Sequence, residues 1–509
     1  MDNREVARLL EEIATLLELK GENPFKSRAY QNAARAVDAL EEEVAALVET
    51  GRLAGAPGIG PGITVKLTEL VRTGRMAVLE DLRRDVPRGL REMVQVPGLG
   101  PKRARAIHEA LGIDSLAELA QACRDDRLKD LKGFGAKTQE SILAGIARRA
   151  LARERRLLSE ADASAAAIVE AVGRTAGINR ISIAGSLRRR RETIKDIDIV
   201  VSSTNPTAVM EAFVTYGDVE GIIARGPTRS SVRLWGGIQV DLRVVTEDEY
   251  PFALLYFTGS KAHNIGMRAK AQRMGLKLNE YGLFDGETPV PCDSEPAIYQ
   301  HLGYAWVAPE LREDTGELLA AEEGTLPKLV AVEDLQGILH VRSTWSDGTD
   351  SIADLARAAR ERGFRYLGLA DRARSSAPDA TAVGLGPAEV AAQRQEIARV
   401  EAEVGGIQIL QGLEVDILPD GRLDASDVLL GELDFVIAAA RTHLDQDQET
   451  MTARLERAIA HPHTTILAHP TGRRLFEREP AAVDLNRVLG GCREHRVAIE
   501  VSGDPERLD

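Results

Sequence analysis

Asp196 and Asp198 stand two residues apart in the apolar run Ile194-Lys195-Asp196-Ile197-Asp198-Ile199-Val200-Val201. On a β-strand, positions i and i+2 project from one face, so the two carboxylates share a side while Ile197 and Ile199 take the other. Adjacent like charges are costly unless a cation neutralises them. Asp241 supplies a third carboxylate in Val240-Asp241-Leu242, a second apolar segment. Three carboxylates on neighbouring strands can hold two Mg2+ or Mn2+ ions roughly 3.5–4 Å apart. One ion would activate an attacking hydroxyl, and the other would steady a polyphosphate leaving group. A D-x-D pair alone is usually a solvated strand end, so its surroundings decide.

Gly185-Ser186 lies eleven and ten residues before Asp196, just after the apolar run Ile181–Ala184. Leu187-Arg188-Arg189-Arg190-Arg191 follows directly. A Gly-Ser turn offers amides and a hydroxyl to phosphate, and arginine adds charge. Gly-Ser, arginines, D-x-D and a distal Asp together form a nucleotidyltransferase signature.

A second chemistry-bearing pattern is repeated. Ala56-Pro57-Gly58-Ile59-Gly60, Val96-Pro97-Gly98-Leu99-Gly100 and Leu131-Lys132-Gly133-Phe134-Gly135 share one form, an apolar residue between two glycines, and each precedes a helical pattern. Two glycines permit a tight turn. The helix that follows points unpaired amides and its positive dipole end at a phosphate oxygen. Lys102, Arg103 and Lys137 sit just beyond and add charge. Such contacts hold a nucleic-acid backbone without reading sequence.

The elements that position these residues follow from periodicity. Leu9, Leu10, Ile13, Leu16 and Leu17 mark a helix, Asn23-Pro24 breaks it, and a second helix is expected from Lys26 to Val48. Short helices and glycine hairpins continue to about residue 150. Strands are expected at Arg180–Ala184, Asp196–Ser202 and Ile238–Val245, with a helix over 204–217. An acidic linker is expected near Glu310–Thr325. Beyond Val332, the apolar runs Tyr366–Leu369, Ile407–Leu410, Phe435–Ala438, Thr465–Leu467 and Val497–Val501 alternate with helical patterns, as in a mainly parallel sheet or barrel.

At 509 residues the chain exceeds one hydrophobic core. The net charge of −14 argues against a polyanion partner only on average. Residues 51–200 hold 28 Lys and Arg against 19 Asp and Glu, whereas residues 301–509 hold 22 against 37. The middle of the chain suits a polyanion and the acidic last third does not. No run is apolar enough to span a membrane, and the charged N-terminal stretch lacks the pattern of a secretory signal. Cys123, Cys292 and Cys492 lack metal-ligand spacing. Free thiols in a reducing cytoplasm are the expectation.

Tyr256-Phe257-Thr258-Gly259-Ser260, with Asn264, resembles the Y-F-T-G-S segment of family X DNA polymerases, and the likeness to the DNA polymerase beta type covers roughly residues 1–310. The resemblance implies that Asp196, Asp198 and Asp241 are catalytic metal ligands. It places Gly185, Ser186 and Arg189 at the incoming triphosphate. The Tyr256-Phe257 backbone and ring would crowd the sugar 2′ position, Gly259 would permit that tight segment, and Asn264 would contact the base edge in the minor groove. Lys195 departs from the family's usual glycine before the first Asp. Residues 1–85 resemble the family's lyase domain, with Lys66 at the Schiff-base position and Lys26 and Tyr30 at the 5′-phosphate pocket. Gly62 and Asn32 stand where relatives often carry lysine, so the basic set is thin.

Residues 335–509 resemble PHP domains, distorted barrels that hold up to three metals and act as phosphoesterases. The carrying segments are His340-Val341-Arg342-Ser343-Thr344-Trp345-Ser346-Asp347-Gly348, Gly412-Leu413-Glu414-Val415-Asp416 and Ala468-His469-Pro470-Thr471-Gly472-Arg473. Arg342, Arg372 and Arg441 stand where that family has histidine, and no final D-x-H occurs before Asp509. His340, Asp347, Glu414 and His469 remain as remnants of a ligand set. Arginine has no lone pair for a metal, and it can instead pair with Glu414 or Asp347. His443, His461 and His463 lie near enough in sequence to stand in as ligands.

The fold expected is multidomain α/β. It comprises a lyase-like helical domain at 1–85, a helix-hairpin-helix domain at 86–150, a nucleotidyltransferase palm with a mixed sheet at 151–245 and a nucleotide-selecting subdomain at 246–320. A linker at 321–334 leads to a PHP-like domain of (β/α)7 type at 335–509. The function expected is template-directed addition of dNMP to a primer 3′-OH in gapped or primer-template DNA, by a monomer taking dNTP. It suits short-gap filling in base excision repair, with the PHP metals and nuclease lost. A PHP-dependent 3′–5′ exonuclease and a non-catalytic DNA-end scaffold are the alternatives.

Overall fold

In the first helix, Leu10, Ile13, Leu16 and Leu17 recur every three to four residues and turn one stripe of Asn3–Lys20 inward. The computed structural model that contains this helix describes residues 3–38, 40, 42–96, 98–376 and 384–509, so Pro97 of the second glycine hairpin lies outside the described residues. The chain divides into two compact units, Met1–Arg153 and Glu154–Asp509.

The first unit is helical throughout its described residues, around one core that runs from Val6 to Ile142. Asn23 starts the second helix by accepting the Phe25 amide at 3.0 Å. That helix, Pro24–Asp38, is shorter than the sequence pattern suggests, and a separate helix follows at Val44–Glu49. The physical reason is Asn3. Its side chain accepts the Val44 amide at 2.8 Å and donates to the Glu42 carbonyl at 3.0 Å, tying down the chain where a continuous helix would have run.

The second unit contains a five-stranded mixed sheet in the spatial order Ile178–Ile183, Asp196–Ser203, Gln239–Val245, Arg229–Leu234, Val219–Arg225. The central pair is parallel and the other neighbours are antiparallel. Helices Leu158–Gly173 and Pro206–Val214 cover one face, packing on Ile197, Ile199, Val201, Val240, Leu242 and Val244. Helix Tyr250–Thr258 packs on the other face against Val200.

Next comes a small cluster of helices around a three-stranded antiparallel sheet, Leu276–Asn279, Gly282–Asp285 and Thr288–Val290. The acidic stretch expected as a linker belongs to this cluster. Helix Glu317–Glu323 buries Ala321 in its core, and Arg312 is fully buried. The reason is pairing: Glu317 meets His263 at 2.7 Å and Arg312 meets Glu295 at 2.7 Å.

The last part holds six parallel strands in chain order, Gly337–Val341, Tyr366–Arg372, Gln408–Asp416, Phe435–Ala439, Ile466–Ala468 and Ala498–Ile499. This is the half-barrel that alternating apolar runs and helices demand. Arg473 joins it to the mixed-sheet region through Glu192 at 2.6 Å.

Candidate active site

The mixed sheet displays the three carboxylates by simple alternation. Ile197 and Ile199 are buried under the covering helices, so Asp196 and Asp198 emerge on the opposite face. Asp241 is the direct register partner of Asp198 on the adjacent parallel strand. Gly185 begins the turn above them with φ +63°, and a β-carbon there would lie 2.1 Å from Asp198 Oδ2. Only glycine leaves that oxygen its space. The Ala184 amide donates to the Asp198 carbonyl at 2.8 Å and pins the turn to the strand.

Burial, then repulsion from Asp196 and Asp241, pushes Asp198 up to about 7. Asp241 is differently placed. Ser231 Oγ donates to one of its oxygens, and Gln239 Nε2 donates to the other at 3.0 Å. Among the described residues, no three His, Cys, Asp or Glu side chains close into a cage around one ion. The donor set nevertheless fits a divalent cation. It consists of hard carboxylate oxygens on one face, crowded enough to hold a proton at neutral pH, beneath a turn with no side chain. Asp196, Asp198 and Asp241 are the residues that would hold it.

The arginine run divides its labour. Arg188 forks onto Glu295 at 2.5 and 3.0 Å and reaches Thr258 Oγ1 at 2.6 Å. Arg189 donates to the Thr258 carbonyl at 2.5 Å and to Glu313 at 2.8 Å. Arg190 pairs with Asp162 and Arg191 approaches Glu313. Arg189 therefore stands beside the carboxylates but is already engaged. Lys195 is exposed, so its side chain does not crowd the carboxylate face.

Tyr256 and Phe257 occupy the last turn of helix Tyr250–Thr258. The Arg243 guanidinium lies 4.7 Å from the centre of the Phe257 ring. Phe257, Asp198, Asp241, Arg229 and Arg243 line a cavity of about 90 Å3. Asn264 Nδ2 donates to the Tyr256 carbonyl at 2.7 Å. Gly259 has φ +70°, and a β-carbon there would lie 3.2 Å from Arg189 Nη1. The sequence thus brought Gly185, Ser186, Arg189, Phe257 and the triad to one region. It did not reveal Ser231, Gln239, Glu295 or Glu313.

In the first unit, Gly58, Gly98 and Gly133 all have positive φ, between +81° and +90°. Ile59, Leu99 and Phe134, between the paired glycines, are buried, while Gly60, Gly100 and Gly135 are exposed. Helices Pro61–Thr73 and Pro101–Leu111 start on a proline directly after Gly60 and Gly100. Helix Ala136–Glu154 starts after Gly135. The amides of such first turns have no partner within their helix. Lys102 and Lys137 are exposed beside them.

Residues 1–76 match the helix-hairpin-helix domain, residues 90–148 the SAM-like helix-hairpin-helix tandem, and residues 253–313 the DNA polymerase beta thumb. The chain is 36% identical over 513 aligned positions to the DNA polymerase/3′-5′ exonuclease PolX of Bacillus subtilis, covering 100% of this chain and 89% of that protein. The chain belongs to the family X DNA polymerases. Similarity extends to DNA polymerase lambda of Arabidopsis thaliana, 24% identical over 61% of this chain and 62% of that one. It also reaches the DNA-directed DNA/RNA polymerase mu of Homo sapiens, 26% identical over 60% and 68%. This family X enzyme is a DNA-binding nucleotidyltransferase. No helix among its described residues is long and apolar enough to cross a membrane.

Two further sets of expected residues can be placed on this polymerase. Lys26, Tyr30 and Lys66 line one cavity of about 680 Å3 together with Gly58 and Gly60. Lys66 Nζ donates to the Gly62 carbonyl at 3.3 Å, and Lys26 pairs with Glu22 at 3.0 Å.

In the half-barrel, Arg342 meets Glu414 at 2.5 Å and Asp347 at 3.1 Å. Arg372 meets Asp347 at 2.9 Å. Arg441 forks onto Asp416, with Nη2 at 2.7 Å. His340 bonds Glu500 at 2.6 Å, and His469 lies 3.5 Å from Glu414. Burial opposes ionisation of Glu414, but His340, His469 and Arg342 outweigh it and hold the carboxyl well below its usual range. His443, His461 and His463 do not join this set. His461 turns to Asp427 at 3.3 Å and His443 to Thr442 at 3.2 Å. The remnants do not fit a metal, because guanidinium groups occupy their carboxylates.

Proposed function

We propose that this polymerase fills short gaps in DNA, adding dNMP to a primer 3′-OH at the Asp196, Asp198 and Asp241 face with two Mg2+ or Mn2+ ions. The observation that carries the proposal is the shared face itself: two carboxylates in register beneath a glycine where any β-carbon would strike one of them. When bound, the divalent ions supply the charge that eases deprotonation of the attacking hydroxyl and neutralises the departing pyrophosphate. The chain's own residues do the rest. Ser186 offers its hydroxyl to the triphosphate. Arg189 must release Glu313 before its guanidinium can serve phosphate oxygens. Phe257 and the Tyr256 carbonyl bound the sugar and disfavour a 2′-OH. Asn264 exchanges its bond to Tyr256 for a base edge. The glycine hairpins grip the backbone without reading sequence. The half-barrel acts as a structural domain, not a nuclease.

A 5′-labelled primer in a one-nucleotide gap tests this reading with the full chain. Template-matched extension from dNTP in preference to rNTP, faster on the gap than on open primer-template, is the expected result. Ribonucleotide use at equal rate would overturn the sugar gate. Primer shortening that Glu414→Gln removes would overturn the loss of nuclease.

A second reading, 5′-deoxyribose-phosphate lyase activity, is favoured by Lys26, Tyr30 and Lys66 lining one cavity. A lysine amine can attack the aldehyde of an abasic sugar. Borohydride trapping on 5′-incised abasic DNA should yield an adduct that Lys66→Ala loses; an adduct that survives Lys66→Ala contradicts it.

A further inference from the structure

We propose that the arginine-filled cavity of the half-barrel binds the phosphate of a nucleotide, free or at a DNA end, without a metal and without cleaving it. The inference is independent of the polymerase reading. Successive strands deliver Arg372, Glu414, Arg441 and His469 within two residues of their C-terminal ends. The cavity there measures about 900 Å3. That volume suits a small ligand.

The cavity lining is rich in cations: four arginines and two histidines stand against three carboxylates, with Asp347 and Asp416 outside the lining engaging Arg372 and Arg441. Each of the three lining carboxylates already has a cation: Glu414 has Arg342 at 2.5 Å, Glu500 has His340 at 2.6 Å and Asp504 has Arg507 at 3.2 Å. What remains unsatisfied is mostly nitrogen. Arg441 Nη1, His340 Nε2 and His469 Nδ1 are buried without hydrogen-bond partners, Arg372 Nε has Asp347 at 2.9 Å, and Glu414 Oε1 is the lone carboxylate oxygen among the cavity-lining groups without a partner. Buried donors without partners are costly, and a phosphate brings several acceptors at once. Guanidinium groups match phosphate geometry where they cannot ligate a metal.

The remaining wall is apolar, with Ile338, Leu339, Tyr366, Ile437 and Ile499. It offers a surface to a sugar and base beside the cationic floor. Both requirements meet in a nucleoside monophosphate or the phosphorylated end of a strand.

Titration calorimetry of the full chain in EDTA tests the proposal with four probes: dAMP, deoxyadenosine, and one short oligonucleotide with and without a 5′-phosphate. At least one phosphorylated probe should bind, with its unphosphorylated partner at least about tenfold weaker. Binding by dAMP alone assigns free nucleotide, and binding by the phosphorylated strand alone assigns the DNA end. Arg441→Gln should weaken binding by about tenfold or more. Arg372→Gln, whose side chain is less buried and so less needed for folding, should do likewise and leave gap filling unchanged. Four results overturn the proposal: no binding, equal binding of deoxyadenosine, binding only with Mn2+, or full affinity in folded Arg372→Gln.

Discussion

Asp198 carries a strain that the polymerase site needs. Burial, with Asp196 and Asp241 nearby, pushes its carboxyl up to about 7. An aspartate in an unfolded chain titrates near about 3.9. Between those values the folded protein holds a proton that the unfolded chain has lost, so stability falls as pH rises through the window. Asp198→Asn removes this penalty. Without divalent ions the variant should melt several degrees above wild type at about pH 8, and the gap should close toward about pH 4. Identical melting curves at the higher pH would mean that Asp198 is not strained. Gly185→Ala makes the complementary test. Its methyl would meet Asp198 Oδ2 at 2.1 Å, and its φ of +63° strains any L-residue. Extension should drop at least about a hundredfold with the fold retained; near-normal kcat would contradict the close fit. The triad was legible in the sequence because the alternation D-I-D-I fixes a face. Its partner Ser231 was not, because strand Arg229–Leu234 buries Ser230 and Ser231 in place of an alternating apolar row.

At the scale of elements, the thumb region is held by a polar knot. His263 is fully buried, with Nδ1 at 2.7 Å from Glu317 and Nε2 at 2.8 Å from the Tyr299 hydroxyl. Burial outweighs Glu317 and lowers the His263 pKa. The ring is therefore neutral, with Nδ1–H donating to the carboxylate and Nε2 accepting from the phenol. A depressed histidine pKa contributes stability above the unfolded value, near about 6.5, and loses it as pH falls toward the folded value. Wild type should lose melting temperature on acidification below about pH 6.5 more steeply than His263→Gln. Parallel curves would show that the imidazole carries no such linkage. This knot also explains why the acidic stretch near residue 317 was misjudged as a linker. Composition there suggests solvent, but Glu317 finds a buried histidine some fifty residues earlier in sequence. The strands of the half-barrel, by contrast, were visible as short apolar runs, because parallel strands buried on both faces need no alternation.

For the whole molecule, average charge misled and its distribution did not. A net of −14 coexists with a basic stretch across residues 51–200 that contains all three hairpins and the arginine run. Phosphate contacts release counterions, so Lys102→Ala and Lys137→Ala should each lower the salt slope of DNA binding by about one. An unchanged slope in the double variant would remove those lysines from the interface. The expectation that the half-barrel is a damaged metal domain rests on three arginines in place of histidines. Where those arginines turned was not readable, since Asp416 and Glu500 became partners only through folding. The measurement that tests the central claim most directly is single-turnover extension on gapped DNA by wild type, Asp198→Ala and Asp241→Ala, with DNA affinity measured alongside. Extension should fall by about a thousandfold or more in both variants while binding persists. Undiminished extension in either variant would contradict the assignment of this carboxylate face as the site of synthesis.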